Sequence, residues 1–302
     1  MGAPASTRAE DLRPVALVSP AALLRGRVLN HKGLMFGAVA LAAIILMAVF
    51  APLVAPHDPY DQNLDRRLIP PIWHEKGEWS HPLGTDNLGR DYLSRLIYGA
   101  RISLLIGLAA ASISAVIGAS LGIAAGYFGG RLDMMVSFVV TVRLALPPVL
   151  VALAVVALTG GSLTVVILVL GLLIWDRFAV VMRATTQQIR GMDYIMAAKA
   201  AGLSTFRLLL TEVMPNCLNH FIVVVTLEMA RAILLEAALS FLGLGVQPPL
   251  PSWGLMVSEA KEFMLFMPWM ITVPGAALFI LVLSINLLGD GLRDVTAPEN
   301  RN

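Results

Sequence analysis

The chain has 302 residues, with 22 Lys and Arg against 20 Asp and Glu, a net charge of +2. Hydrophobic residues make up 57% of it and charged residues 14%, against about 25% charged in an average soluble protein, and mean hydropathy is +0.77. So little polar surface cannot cover a globule. A soluble single-domain enzyme is excluded, and the small net charge argues for no nucleic-acid partner. Disorder, coiled coil and a disulfide scaffold are excluded as well, the last because Cys217 stands alone.

What remains is an all-α integral membrane protein. A spanning helix needs roughly 20 apolar residues. Residues 33–56 and 102–130 contain no charge. Residues 144–175 are uncharged and too long for one span, and Thr159-Gly160-Gly161-Ser162 divides them into two. A further apolar stretch opens at Val213 and continues to about Gly245 through Glu228, Arg231 and Glu236, and the last covers 263–289. The count is six spans. The first lies too far from the start to be a signal peptide and lacks a small-residue cleavage site. With the N-terminus inside, the inner segments hold fourteen Lys and Arg and the outer segments seven. The positive-inside rule therefore predicts N-in, C-in. The chain divides into a cytoplasmic tail (1–32), the first helix with a long outer loop (33–100), a membrane domain (101–290) and a cytoplasmic tail (291–302).

Ala110, Ser114, Gly118, Gly122 and Gly126 of the second span lie four apart and share one helix face. Small residues let two backbones approach closely in lipid, where packing drives association. The stripe serves a contact inside the chain or one with another membrane subunit. In the fifth span, Glu228 and Arg231 are three apart and can pair on one face. With Glu236 they make a structural ion pair or line a path for a solute.

The outer loop, residues 81–101, reads as a turn leading into an amphipathic helix at the outer surface. The later loop, 243–254, is dense in Pro and Gly and reads as an irregular cap, with Trp253 suited to the interface belt.

The inner segment 191–215 is the most informative. Asp193 suits an N-cap, and the Ala-rich run after it favours helix. Gly202 suits the left-handed position that closes a helix, Ser204 suits the cap of a second short helix, and Pro215 marks that helix's end. The expectation is a helix–turn–helix projecting from the membrane, with a small alanine face suited to a groove on another protein.

Equally informative is what the chain lacks. It has no Gly-x-x-x-x-Gly-Lys-Ser/Thr phosphate loop and hence no ATP site of its own. It has no Gly-x-Ser-x-Gly elbow and no Cys/His cluster with metal-site spacing. His31, His57, His74, His81 and His220 are scattered. No catalytic residue, no bound cofactor and no metal is expected in the chain.

The inner segment resembles the EAA loop of type I ATP-binding-cassette (ABC) importer permeases. That motif has a Glu-Ala-Ala triplet, a Gly after three intervening residues and a Pro thirteen beyond the Gly. Ala197, Ala198, Gly202 and Pro215 fall at those places, and Met196 stands where the triplet has Glu. Three longer stretches resemble the C-type permease of the dipeptide/oligopeptide/nickel subfamily. They are Leu-Gly-Thr-Asp-Asn-Leu-Gly-Arg-Asp ending at Asp91, Ala-Leu-Ser-Phe-Leu-Gly-Leu-Gly-Val-Gln-Pro-Pro beginning at Ala238, and Asn-Leu-Leu-Gly-Asp-Gly-Leu-Arg-Asp beginning at Asn286.

The resemblance covers roughly residues 30–295. It implies the type I importer permease fold and a permease subunit in a bacterial inner membrane. The implied partners are a homologous B-type permease in a heterodimer, two ABC ATPase subunits that bind ATP and Mg, an extracytoplasmic solute-binding protein and membrane lipid. The implied cargo is a peptide-type solute. Ala197, Ala198, Lys199, Gly202, Ser204, Arg207 and Pro215 would belong to the ATPase-coupling loop. Asp86, Arg90, Asp91 and Arg95 would lie at the outer face, toward the binding protein or sealing the pore. The reading to set against it is a self-contained, gradient-driven carrier or channel.

Overall fold

The computed structural model describes residues 26–296, so most of the first tail and the end of the last lie outside the described residues. Every regular element among them is helical. Besides short pieces at Ala51–Val54, Leu64–Arg66, Leu209–Val213 and Ala260–Phe263, they are in chain order α1 (Lys32–Val49), α2 (Tyr92–Phe128), α3 (Gly130–Ala145), α4 (Pro148–Thr159), α5 (Leu163–Leu173), α6 (Asp176–Arg190), α7 (Asp193–Ala200), α8 (Thr205–Leu208), α9 (Met214–Phe241), α10 (Trp253–Glu259) and α11 (Trp269–Thr296). Four lengths are long and apolar enough to cross a membrane: α1, α2, the α5–α6 unit Leu163–Arg190, and Trp269–Val295. The bent pair α3 and α4 makes a fifth if it is one span. α9 is equally long but carries Glu228, Arg231 and Glu236, and is not among them.

Three boundaries differ from the sequence reading. The outer amphipathic helix and the second span are one 37-residue helix, α2. At about 1.5 Å per residue it reaches some 55 Å, far more than a hydrocarbon core of about 30 Å, so it is longer than one crossing needs. The inner segment drawn over 131–143 is the helix α3, which bends by 83° into α4. Pro147 explains the bend, because the residue before a proline is pushed out of the helical region, and Leu146 is extended (φ −97°, ψ 123°). Alone, the 12 residues of α4 are too short to span. The span drawn to end at Trp175 continues through α6 to Arg190.

α2 is the central helix, packed against α1, α3, α5, α6 and α9. Its small stripe is what brings α6 close. A Cβ on Gly122 would lie 2.5 Å from the Ala179 carbonyl oxygen, one on Gly126 2.6 Å from that of Arg183, and one on Gly118 against that of Trp175. The stripe thus packs within the chain. Farther along, Arg183 of α6 forks onto Asp133 of α3, with Nη2 2.8 Å from Oδ2. On the other side α11 packs on α1 and α9. The outward faces stay apolar, with Val116, Phe138, Leu158 and Phe279 exposed. Such faces suit hydrocarbon and no aqueous solvent.

Candidate functional site

At one end of the bundle stands the hairpin α7–α8. α7 begins at Asp193 as its first helical residue, with Met192 in the cap position and no side-chain cap. Asp193 therefore meets the positive end of the helix dipole rather than capping it. Gly202 has φ +82°, and the Leu203 amide donates to the Ala198 carbonyl at 3.2 Å while the Gly202 amide donates to that of Lys199 at 3.0 Å. This is the double bond pattern of a Schellman stop. Ser204 caps α8, its Oγ accepting from the Arg207 amide at 3.4 Å. Pro215 does not end that helix. A five-residue π turn, Leu209–Val213, carries the chain on, and Pro215 sits in the first turn of α9, where its missing N–H costs nothing.

Two buried anchors root the hairpin. Ile195 and Leu208 are fully buried with Tyr127, Met182, Ile189, Val213 and Cys217. Lys199 Nζ lies 4.9 Å from the centre of the Tyr127 ring. Ala197, Lys199, Gly202, Ser204 and Arg207 are exposed and Ala198 half-buried. Met196 and Phe206 are exposed at 55% and 73%. Large apolar side chains thus stand uncovered on an otherwise polar hairpin. Ser204→Ala is expected to cost about 1 kcal/mol of local stability, the usual loss of an N-cap, read as faster hydrogen exchange at the Arg207 amide.

The opposite end holds a buried ionic cluster. The outer loop turns at Gly84 and Gly89, both with positive φ, and folds Asp86 inward. Asp86 Oδ2 accepts from Arg90 Nε at 2.7 Å and from Arg95 Nη1, while its Oδ1 accepts the Leu88 and Arg90 amides. Glu259 of α10 lies 2.7 Å from Arg95 Nη1 and 3.4 Å from Arg90 Nη2. Asp91 caps α2 through the Ser94 amide and hydroxyl and takes His81 Nδ1 at 2.9 Å. His57 stacks on His81. The histidines scattered in sequence thus partly gather, and His57, His81 and Asp91 bring ligand-type atoms within 4.8 Å of one another. Asp86, Arg90, Asp91 and Arg95 are all buried to 2% exposure or less. That takes these side chains out of direct contact with an external protein. Their contacts hold the loop that precedes α2.

Trp253 is buried as well, contrary to an interface-belt position. Its Nε1 donates to the Leu96 carbonyl at 2.8 Å and its amide to Ser103 Oγ at 3.2 Å. Glu236 accepts from Ser240 and from Ser252, the cap of α10, at 2.7 and 2.9 Å. It ties α10 to α9 and is not paired with Arg231.

Glu228 and Arg231 do pair, at 3.2 Å, and they have company that the sequence reading missed. Arg177 Nε lies 3.4 Å from Glu228 Oε1, and Asp176 Oδ1 lies 3.9 Å from Arg231 Nη1. Arg143 donates to the carbonyls of Leu146 and Leu173 where α3 ends. The available signal was the expense of three charges in one span, which calls for counter-charges on neighbouring helices.

Residues 118–302 match the family described as binding-protein-dependent transport system inner membrane component. The chain belongs to that family. Residues 19–71 of this permease match a second family, the N-terminal TM domain of oligopeptide transport permease C. The permease is 42% identical over 273 residues to the di/tripeptide transport system permease protein DppC of Pseudomonas aeruginosa, covering 90% of each chain. It is 42% identical over 270 residues to the dipeptide transport system permease protein DppC of Escherichia coli K12, covering 89% of this chain and 90% of that one. Its fold is also that of a chain of the MetNI methionine ABC transporter solved in inward-facing conformations, with TM-score 0.54, 17% identity and cover of 67% of this chain and 95% of that one.

Proposed function

We propose that the chain is the C-type permease of a peptide-importing ABC transporter in a bacterial inner membrane. The observation that carries this reading is the hairpin α7–α8, anchored by Ile195 and Leu208 while its tip, with Met196 and Phe206, stands uncovered. A family of binding-protein-dependent permeases needs such an element, since force must reach it from separate ATPases. In this reading α9 and the pair α3–α4 are spans, which restores six, and both termini and the hairpin face the cytoplasm. The exposed Ala197, Lys199, Gly202, Ser204 and Arg207 face the ATPase, and ATP and Mg bind to the ATPases and not here. A homologous B-type permease covers the remaining polar helix faces, and an external solute-binding protein delivers a di- or oligopeptide to the cap formed around Asp86 and Glu259.

The cycle is a population shift between inward-open and outward-open arrangements. Each ligand moves that equilibrium only by its differential affinity for the two forms, so ATP and the loaded binding protein must both favour the outward-open one. The hairpin makes the coupling stiff because its turn has one backbone solution. A residue with a side chain at Gly202 would carry a left-handed cost of about 1–2 kcal/mol. Gly202→Val is therefore expected to leave ATP hydrolysis by the reconstituted complex running while uptake falls away. Unchanged coupling in that variant would remove the hairpin from the mechanism. Purification in mild detergent is expected to bring down one related permease and one or two ATPases. Recovery of the chain alone, with uptake that follows an ion gradient and not ATP, would establish the gradient-driven carrier instead.

A further inference from the structure

The charges around Glu228 have a depth and an imbalance that give them a role of their own. Arg177 lies fourteen residues into the 28-residue unit Leu163–Arg190, and Glu228 fourteen residues into the 28-residue α9. Both are thus about 20 Å from either end of their helices, which in the importer reading places them midway through the membrane. Arg143 joins them at the bend between α3 and α4. Three cations, Arg143, Arg177 and Arg231, meet two acids, Asp176 and Glu228.

The imbalance has a direction. Glu228 and Asp176 are sealed, at 0% and 1% exposure, whereas the side chains of Arg177 and Arg231 are exposed to 57% and 24%. Arg143 is spent on backbone carbonyls. What the cluster presents outward is therefore guanidinium, with the carboxylates behind it. A guanidinium more than half exposed at this depth cannot face hydrocarbon and must face water or another protein. Farther along the same face of α6, Val180 is exposed to 45%, and beyond it Ala184, Gln187 and Gln188 are exposed, so the face turns polar toward its end.

We propose that Arg177, supported by Arg231, is a carboxylate-binding way-station in the translocation path, taking the side-chain carboxylate of an acidic peptide-type solute in transit. The planar guanidinium fork matches a carboxylate in two parallel hydrogen bonds. Glu228 keeps the station shallow. At 3.4 Å it already holds Arg177, so an arriving carboxylate displaces a partner that reclaims the cation when the solute leaves. Conduction needs this balance between entry and release. The inference rests on the proposed importer reading.

The test uses the whole complex, both permeases with their ATPases, in proteoliposomes with its binding protein. Two cargoes are compared, alanyl-aspartate with two carboxylates and alanyl-lysine with one carboxylate and a compensating cation. Arg177→Gln is expected to lower uptake of alanyl-aspartate roughly tenfold, the loss of one hydrogen bond to a charged group, and that of alanyl-lysine distinctly less. Arg177→Lys, which keeps the charge but not the fork, should restore only part of the difference. Binding-protein-stimulated ATP hydrolysis should stay within twofold of wild type, roughly the scatter of a neutral change. Equal loss for the two cargoes would make Arg177 a structural residue and overturn the proposal. Failure of the second permease to co-purify with Arg177→Gln would also overturn it, since the cation would then pair with an acid of that partner. A wild-type complex that moves neither peptide with ATP would instead defeat the importer reading, which keeps the two failures apart.

Discussion

Asp86→Ala is expected to loosen the outer end of the permease by about 3–5 kcal/mol, the penalty for leaving buried charge without its partner. Asp86 is 1% exposed and each of its oxygens is in use. One binds Arg90 and Arg95, the other the amides of Leu88 and Arg90. Removing it leaves two guanidinium groups, each at most 2% exposed, to share Glu259, which is itself 20% exposed. Glu259 belongs to α10 and Arg95 to α2, so the loss spreads from the loop to the seam between these helices. Asp86→Asn separates the two roles. It keeps an acceptor for the Leu88 and Arg90 amides but gives up the charge, and should fall between Ala and wild type. Thermal unfolding of the detergent-purified protein, with proteolysis in the loop 55–91 as the local readout, measures both. A melting temperature for Asp86→Ala within a degree or two of wild type, under about 1 kcal/mol at this size, would show that the cluster does not hold the loop.

The sequence made local features legible and tertiary ones much less so. Gly202 and Ser204 were readable because a left-handed stop and a hydroxyl cap are decided within a few residues. The small-residue face of α2 was readable because its period is that of a helix, although only the fold shows that α6 is what it meets. The helix α3 was taken for a polar inner segment because of Arg131, Asp133 and Arg143. Two of those charges are satisfied by distant groups, Asp133 by Arg183 and Arg143 by the Leu173 carbonyl. Asp176 and Arg177 escaped notice for the same reason. They sit just past the apolar stretch and look like its hydrated end, whereas α6 carries straight on from them to Arg190. Pro215 was read as a stop, yet a proline is equally at home in a helix's first turn, and the π turn before it joins the two elements.

Gly122→Leu is expected to be among the most damaging single changes along α2. Even a bare Cβ at Gly122 would stand 2.5 Å from the Ala179 carbonyl oxygen and 3.0 Å from the Arg183 amide nitrogen. Both are backbone atoms of α6, so no side chain can swing aside and the helices must part. Overpacking an ordinary core costs about 1–3 kcal/mol, and a clash with fixed backbone belongs at or above the top of that range. Water offers no compensation here, because helix association in lipid rests on packing itself. Parting α2 from α6 also pulls at the pair of Arg183 with Asp133 and shifts Arg177 relative to Glu228. The damage should therefore reach function before it reaches folding. Gly122→Ala, which adds only the clashing Cβ, should weaken uptake while the protein still accumulates, and Gly122→Leu should lower the yield in the membrane. Val116→Leu is the control, since Val116 lies on the same helix with 73% exposure and only lipid or a partner to meet. If Gly122→Leu and Val116→Leu melt alike, the close approach of α2 and α6 is not what sets the stability of this fold. If they separate, that seam fixes the relative position of the hairpin, which continues from α6, and of the cap, which begins at the first turn of α2.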